Sequence, residues 1–228
     1  MTDPQLLRSR ALRANFTFAI VLALLVLVPA WSLHYWQGFL LWAHFCAWCT
    51  GLTLYFLKHD PALAERRMAA GSQAEELASQ KWIQAYNSVL ITALFVLSAF
   101  DAGAGWSRMP LVGIIVGHAL VAAGFLIILI TLRQNSFAAA TVTVAEDQRI
   151  ISTGLYGWVR HPMYAGALVL FIGIPLALGS WWGLVLVPLL LLGLVMRLTD
   201  EERHLTKHLE GYADYRREVH HRLVPGIW

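Results

Sequence analysis

Residues 154–166, GLYGWVRHPMYAG, set a cation, an imidazole and two phenols into a chain that is otherwise mostly apolar. Arg160 and His161 directly precede Pro162. Proline is well tolerated in the first turn of a helix, so the pair is predicted to stand at a helix N-terminus, where free N–H groups and the dipole favour an anion. A cation, a histidine donor and a helix start together suit a carboxylate. On these residues alone a second reading stays open, in which Arg160 and His161 only mark the membrane interface. A second charged cluster, Arg197, Asp200, Glu201 and Glu202, follows at the far end of an apolar hairpin. Arg197 and Glu201 lie at i and i+4 and share a helix face, as a surface ion pair would. However, Arg197 closes an apolar helix, where an ionisable side chain is costly without a partner or a task. Arg197 and Glu201 are thus the candidate catalytic residues: a positive centre for an anionic substrate, and a carboxylate for an ammonium or for ribose hydroxyls.

The elements that must hold these clusters are membrane elements. Of the 228 residues, 58% are hydrophobic and only 14% charged, with a mean hydropathy of +0.58. Soluble domains carry about a quarter of their residues as charges. Apolar runs at 16–31, 39–57, 82–100 and 110–132 are predicted to form four transmembrane helices, the first extended slightly at each end. Asp60-Pro61 reads as a cap followed by proline at the first helical position, so the polar stretch 58–81 should carry a short helix. Residues 135–153 show no helical stripe and form a long loop that runs straight into the 154–166 motif, which favours a functional loop. Runs at 163–178 and 181–198, joined by Gly179 and Ser180 and interrupted by Pro175 and Pro188, read as a tight hairpin that tilts or enters partway. The tail from Thr199 reads as a charged helix followed by Tyr212, Tyr215 and a Pro225-Gly226 ending, lying on the surface or capping the site.

The +3 formal charge is not gathered into a stripe, which argues against nucleic acid as a partner. It is a topology signal instead. Placed on this set of spans, sixteen of the 17 lysines and arginines fall on one side and Arg108 alone on the other. Both termini and the candidate site are therefore predicted to face the cytoplasm. Cys46 and Cys49 form a C-x-x-C inside an apolar run with no second ligand pair, and read as packed thiols rather than a redox or metal pair. His34, His44 and His118 stand singly in apolar runs and read as packed, hydrogen-bonded side chains. There is no G-x-G-x-x-G, P-loop, H-E-x-x-H or G-x-S-x-G. No metal is expected.

Taken in order, STGLY at 152–156, VRHPMY at 159–164 with Gly166, Arg197 with Asp200, Glu201 and Glu202, and GYADY at 211–215 resemble the integral-membrane methyltransferases related to isoprenylcysteine carboxyl methyltransferase and to phospholipid methyltransferases. The resemblance covers 135 to the C-terminus and leaves the first four spans without a specific match. It implies an all-α integral membrane protein, with four transmembrane helices and a C-terminal helical hairpin, about six membrane helices, and a cytosolic C-terminal helix capping a non-Rossmann pocket. It divides the chain into a scaffold, 1–133, and a methyltransferase-like region, 134–228, of a bacterial inner-membrane type. It further implies S-adenosyl-L-methionine as cofactor, held by Ile150, Ile151, Tyr156, Arg160, His161, Pro162, Tyr164, Glu201 and Glu202. The acceptor it implies is amphiphilic, reaches the site from the lipid bilayer and faces Arg197. Related eukaryotic enzymes carry four glutamates in the acidic run; here Thr199 and Asp200 take the first two positions. An isoprenylcysteine-type carboxylate is the leading acceptor, with a phospholipid amine or a small thiol as alternatives. A sterol-type reductase using NADPH and a non-enzymatic membrane scaffold are the rival classes.

Overall fold

The computed structural model describes residues 3–68, 71–75, 77–138, 140–141 and 149–228. Of the 135–153 loop, residues 139 and 142–148 lie outside the described set, and with them the expectation that the whole loop is functional. The described residues form helices α1 (Pro4–Leu27), α2 (Trp36–His59), α3 (Pro61–Met68), α4 (Ala78–Ala104), α5 (Leu111–Gln134), α6 (Pro162–Ala177), α7 (Val187–His208) and α8 (Tyr212–Glu218), and no strand. Single 3-10 turns at Gly154–Gly157 and Trp182–Leu186 precede α6 and α7.

Among the described residues, five helices are long and apolar enough to cross a membrane: α1, α2, α4, α5 and the continuous stretch Trp182–His208. Helix α6 has 16 residues. At 1.5 Å per residue it spans about 24 Å, short of the ~30 Å hydrocarbon core. Yet its far end reaches the α4–α5 connection. There the Asp101 carboxylate accepts from Ser107 Oγ (2.6 Å), Ser180 Oγ (2.5 Å) and the Trp182 amide (3.4 Å), and Tyr35 Oη donates to the Leu178 carbonyl (2.7 Å). The turn between α6 and α7 is thereby fixed level with the α4–α5 turn.

Two helix starts repeat one device. Asp3 caps α1 by accepting from the Gln5 amide at 3.0 Å, and Asp60 caps α3 by accepting from the Leu63 amide at 2.9 Å, each with proline next in the chain. Consequently α1 begins well before the apolar run expected at 16–31. The tail also differs from expectation. Instead of a separate charged helix from Thr199, α7 carries the apolar run straight through Arg197 and Glu202 to His208, because no glycine or proline intervenes between Gly193 and Gly211. Gly211, with φ +78°, then turns the chain into α8.

Helices α5 and α6 pack antiparallel along glycine pairs. A Cβ on Gly117 would lie 2.2 Å from the Ala177 amide nitrogen, and one on Gly124 would lie 2.8 Å from the Gly166 carbonyl oxygen. In return, a Cβ on Gly173 or Gly166 would lie 2.9 or 3.0 Å from the carbonyl oxygen of Gly117 or Gly124. Small residues in this register let helix backbones approach closely in lipid, where dispersion contacts do the work that water does for soluble proteins. The pairing sets the start of α6 beside the end of α5. His44 and His118 join α2 to α5: Trp48 Nε1 donates to His44 Nε2 (3.0 Å), which leaves His44 Nδ1 to donate to His118 Nδ1 (3.2 Å). Cys46 and Cys49 are free thiols on α2.

Gly117→Ala is expected to destabilise the protein by about 1–3 kcal/mol, since the new methyl meets backbone and the helices must part. Gly51, on α2 with open space around it, serves as the control. Gly51→Ala should hold or raise the thermal unfolding midpoint in detergent micelles, and equal midpoints for the two variants would contradict the close α5–α6 contact.

Candidate active site

The 154–166 motif is held from both sides. Gly154 has φ +61°, and a side chain there would collide with Gln134, whose Oε1 accepts from the Leu155 amide at 3.0 Å. Asn135 Nδ2 donates to Tyr156 Oη (3.1 Å), and Tyr215 Oη from α8 donates to the Tyr156 carbonyl (2.8 Å). The Arg160 and His161 amides donate to the carbonyls of His221 and Arg222 at 2.9 and 3.0 Å, so the C-terminal tail clasps the segment just before α6. Pro162 opens α6 as expected, with His161 at its N-cap position.

The charged side chains then sort into two networks. In the first, the buried Glu202 carboxylate accepts from Arg160 Nε (2.6 Å), Arg222 Nε (3.1 Å) and His161 Nε2 (3.3 Å). An ionised carboxylate only accepts, so the His161 proton in this contact sits on Nε2. Arg160 Nη1 also donates to the Val219 and His220 carbonyls at 2.7 and 3.0 Å. In the second, Arg197 pairs with Glu75 (2.8 Å) rather than with Glu201. The same Nη1 lies within hydrogen-bond distance of Gln80 Oε1 (3.0 Å) and Gln84 Oε1 (3.1 Å), while Nη2 donates to the Ala140 carbonyl (2.9 Å) and Nε to Tyr164 Oη (3.0 Å). Tyr164 passes its own proton to Glu201 Oε2 at 2.5 Å and stacks on His161, with ring centroids 5.5 Å apart. Asp200 faces a third way and accepts from Ser79 Oγ (2.7 Å) and Gln80 Nε2 (2.8 Å) on α4.

One cavity lies between these networks. Ile150, Ile151, Tyr156, Arg160, His161, Pro162, Tyr164, Arg197 and Glu201 all line it. Glu202 does not; it stands behind the wall and fixes Arg160 and His161. Tyr212 and Tyr215, which sequence reasoning named in the tail but did not assign to the site, close the cavity from α8; it missed Leu205 and Leu209 from the end of α7. The i, i+3 tyrosines of GYADY were the available signal. It also missed Glu75, Gln80 and Gln84, the Arg197 partners. Two glutamines at i, i+4 just inside an apolar helix were the only hint of them.

Burial pushes the Tyr156 phenol up to about 12, reinforced by the Glu201 charge. Tyr212 and Tyr215 are raised too, first by burial and then, respectively, by Glu202 and by Tyr156. Each therefore remains a neutral donor at physiological pH. Because the folded values lie above the ordinary tyrosine value of about 10, their contribution to stability is complete below that pH and is lost as pH rises through the folded values. Unfolding midpoints should be level approaching pH 10 and fall from there towards pH 12. Tyr156→Phe should make that decline shallower, and an identical alkaline profile would refute the assignment.

Two comparisons bear on this geometry. Residues 112–211 match the family model for phospholipid methyltransferase. A 76-residue segment is 32% identical to protein-S-isoprenylcysteine O-methyltransferase of Schizosaccharomyces pombe, covering 32% of each chain. The match thus spans about a third of that relative. Over less than half of its length the chain is thus similar to methyltransferases of the phospholipid and isoprenylcysteine type.

Proposed function

We propose that the chain transfers a methyl group from S-adenosyl-L-methionine to an amphiphilic acceptor in the membrane, with an isoprenylcysteine-type carboxylate as the leading acceptor. The observation that carries this reading is the cavity at the polar ends of α6 and α7, which draws its wall from both charged clusters of the sequence. The residues present fit the cofactor. Glu201 offers a carboxylate for an ammonium or for ribose hydroxyls, and Arg149 a cation for a carboxylate. Ile150, Ile151, Leu205 and Leu209 offer apolar surface for a purine, with the Tyr156, Tyr212 and Tyr215 phenols at its edge. When bound, the cofactor supplies a methyl group activated on a sulfonium.

The contribution of the chain is positional. Such a transfer would need alignment of the acceptor, charge placement and exclusion of water, which the residues around the cavity would supply. Arg197 holds Tyr164, Tyr164 holds Glu201, and α8 closes the cavity over them. In this reading residues 1–133 are the scaffold and 134–228 the methyl-transfer region. The short α6 completes a sixth crossing because its turn reaches the α4–α5 connection. Both termini and the site face the cytoplasm of a bacterial inner membrane, the side selected by sixteen of the 17 basic residues. The phospholipid methyltransferase match keeps a phospholipid amine as the second candidate acceptor.

Calorimetric titration of the purified protein in micelles is expected to show binding of S-adenosylmethionine and not of NADPH. Glu201→Gln should weaken that binding at least tenfold while leaving the thermal midpoint close to wild type. Binding of NADPH alone would overturn the reading, and membranes given radiolabelled cofactor should transfer label to a lipid-soluble product.

A further inference from the structure

The cationic group expected to face the acceptor already has its charge paired. Arg197 has a carboxylate, two amide oxygens, a carbonyl and a phenol around its guanidinium, and its charge is met by Glu75. Arg160 is likewise met by Glu202. Arg67, on α3, is different. Its Nη1 donates to the Ala138 carbonyl at 3.1 Å and lies 3.5 Å from Met163 Sδ, and both of those residues line the cavity. Among the described residues, Arg67 makes no ion pair of the kind that meets Arg160, Arg197 and Arg222.

The surroundings make this an expensive arrangement. Burial pushes the Arg67 guanidinium below its ordinary value, and the neighbouring Arg197 charge adds to that; only the Tyr164 and Tyr156 phenols act the other way. An arginine does not shed its proton in a protein, so an enclosed one has to be met by a negative charge. On its apolar side α3 buries Leu63 against Phe56 and Leu132, with Ala138 and Met163 packed on the same cluster. A headgroup held at Arg67 would therefore have the phenols of the cavity on one side and the hydrocarbon faces of α2 and α5 on the other.

We propose that Arg67 is the anion anchor for the acceptor: its guanidinium, in contact with Ala138 and Met163 of the cavity wall, holds the negative headgroup of an amphiphile, a carboxylate or a phosphate diester. The proposal rests on the methyltransferase reading for what happens to that amphiphile, and binding alone tests it. Arg67 is a specificity-determining residue, and Arg197 is the positioning residue that holds Tyr164 and the loop at Ala140.

The test measures binding to the full-length protein in lipid nanodiscs of two acid–neutral pairs. One pair is N-acetyl-S-farnesylcysteine and its methyl ester, and the other is dioleoylphosphatidylethanolamine and dioleoylglycerol. Wild type is expected to favour the anionic member of at least one pair by tenfold or more; which pair responds identifies the carboxylate or the phosphate. Arg67→Met should cut that preference to about twofold or less, with S-adenosylmethionine binding and thermal midpoint unchanged. Arg67→Lys, which keeps the charge and loses the fork, should retain most of the preference. Absence of a preference in wild type overturns the proposal. So does its survival in Arg67→Met, or its loss to the same extent in Arg67→Lys, which would make Arg67 only a strap on the Ala138 carbonyl. A wild type that discriminates the acids but does not bind S-adenosylmethionine would sink the methyltransferase reading and leave the anchor standing.

Discussion

A carboxylate buried at the end of a membrane helix has to be surrounded by positive charge, and Glu202 is the clearest case in this chain. Removing such a group from water costs several kcal/mol unless partners replace the lost hydration. Here the partners are Arg160, His161 and Arg222. They come from the segment before α6 and from the C-terminal tail, so satisfying one charge fastens three parts of the chain together. The tail then closes on itself, with Arg222 over the Trp228 ring at 4.6 Å and its amide bonded to the Trp228 carbonyl. Without Glu202 two arginines would face each other in an enclosed space, and the start of α6 would have no reason to stay where the cavity needs it.

The helical repeat explains why neighbouring acids behave so differently. Successive residues on an α-helix point about 100° apart. Asp200 therefore reaches α4, Glu201 reaches Tyr164 on α6, and Glu202 reaches Arg160 and the tail. An acidic run at this position serves three directions at once, and only the middle direction opens on the cavity. The substitution of aspartate at 200 falls on the α4 contact, away from the cavity wall.

Much of the architecture was legible because it rests on local rules. The apolar runs gave the crossings, Asp60-Pro61 gave the start of α3, and Arg-His-Pro gave the start of α6. What was not legible depends on partners distant in sequence. Arg197 and Glu201 have the spacing of an i, i+4 pair, but tertiary contacts outcompete it: Glu75 lies closer to the guanidinium, and Tyr164 inserts between the two. The α5–α6 glycines are spaced by seven in each helix, yet the match becomes visible only when the helices are laid antiparallel. The continuation of α7 was hidden by hydropathy, which changes at Thr199 although the backbone has no reason to. Tyr212 and Tyr215 carried a readable spacing, but nothing local says that a short helix after an αL glycine folds back over the cavity.

The second network fixes more than position. Arginine can only donate, so the contact from Arg197 Nε obliges Tyr164 Oη to accept, and the phenolic proton is left for Glu201. The direction of every hydrogen bond from Glu75 to Glu201 is thereby set by chemistry alone. A short charge-assisted bond from a phenol to a carboxylate holds one oxygen firmly. Oε2 is committed to the phenol, so the carboxylate that lines the cavity is held in one orientation. A single oriented acceptor distinguishes a donor-bearing ligand from one without donors more sharply than a freely rotating carboxylate does, because the partner geometry is decided before the ligand arrives. The buried arginine thus orients, through Tyr164, a carboxylate that lines the cavity.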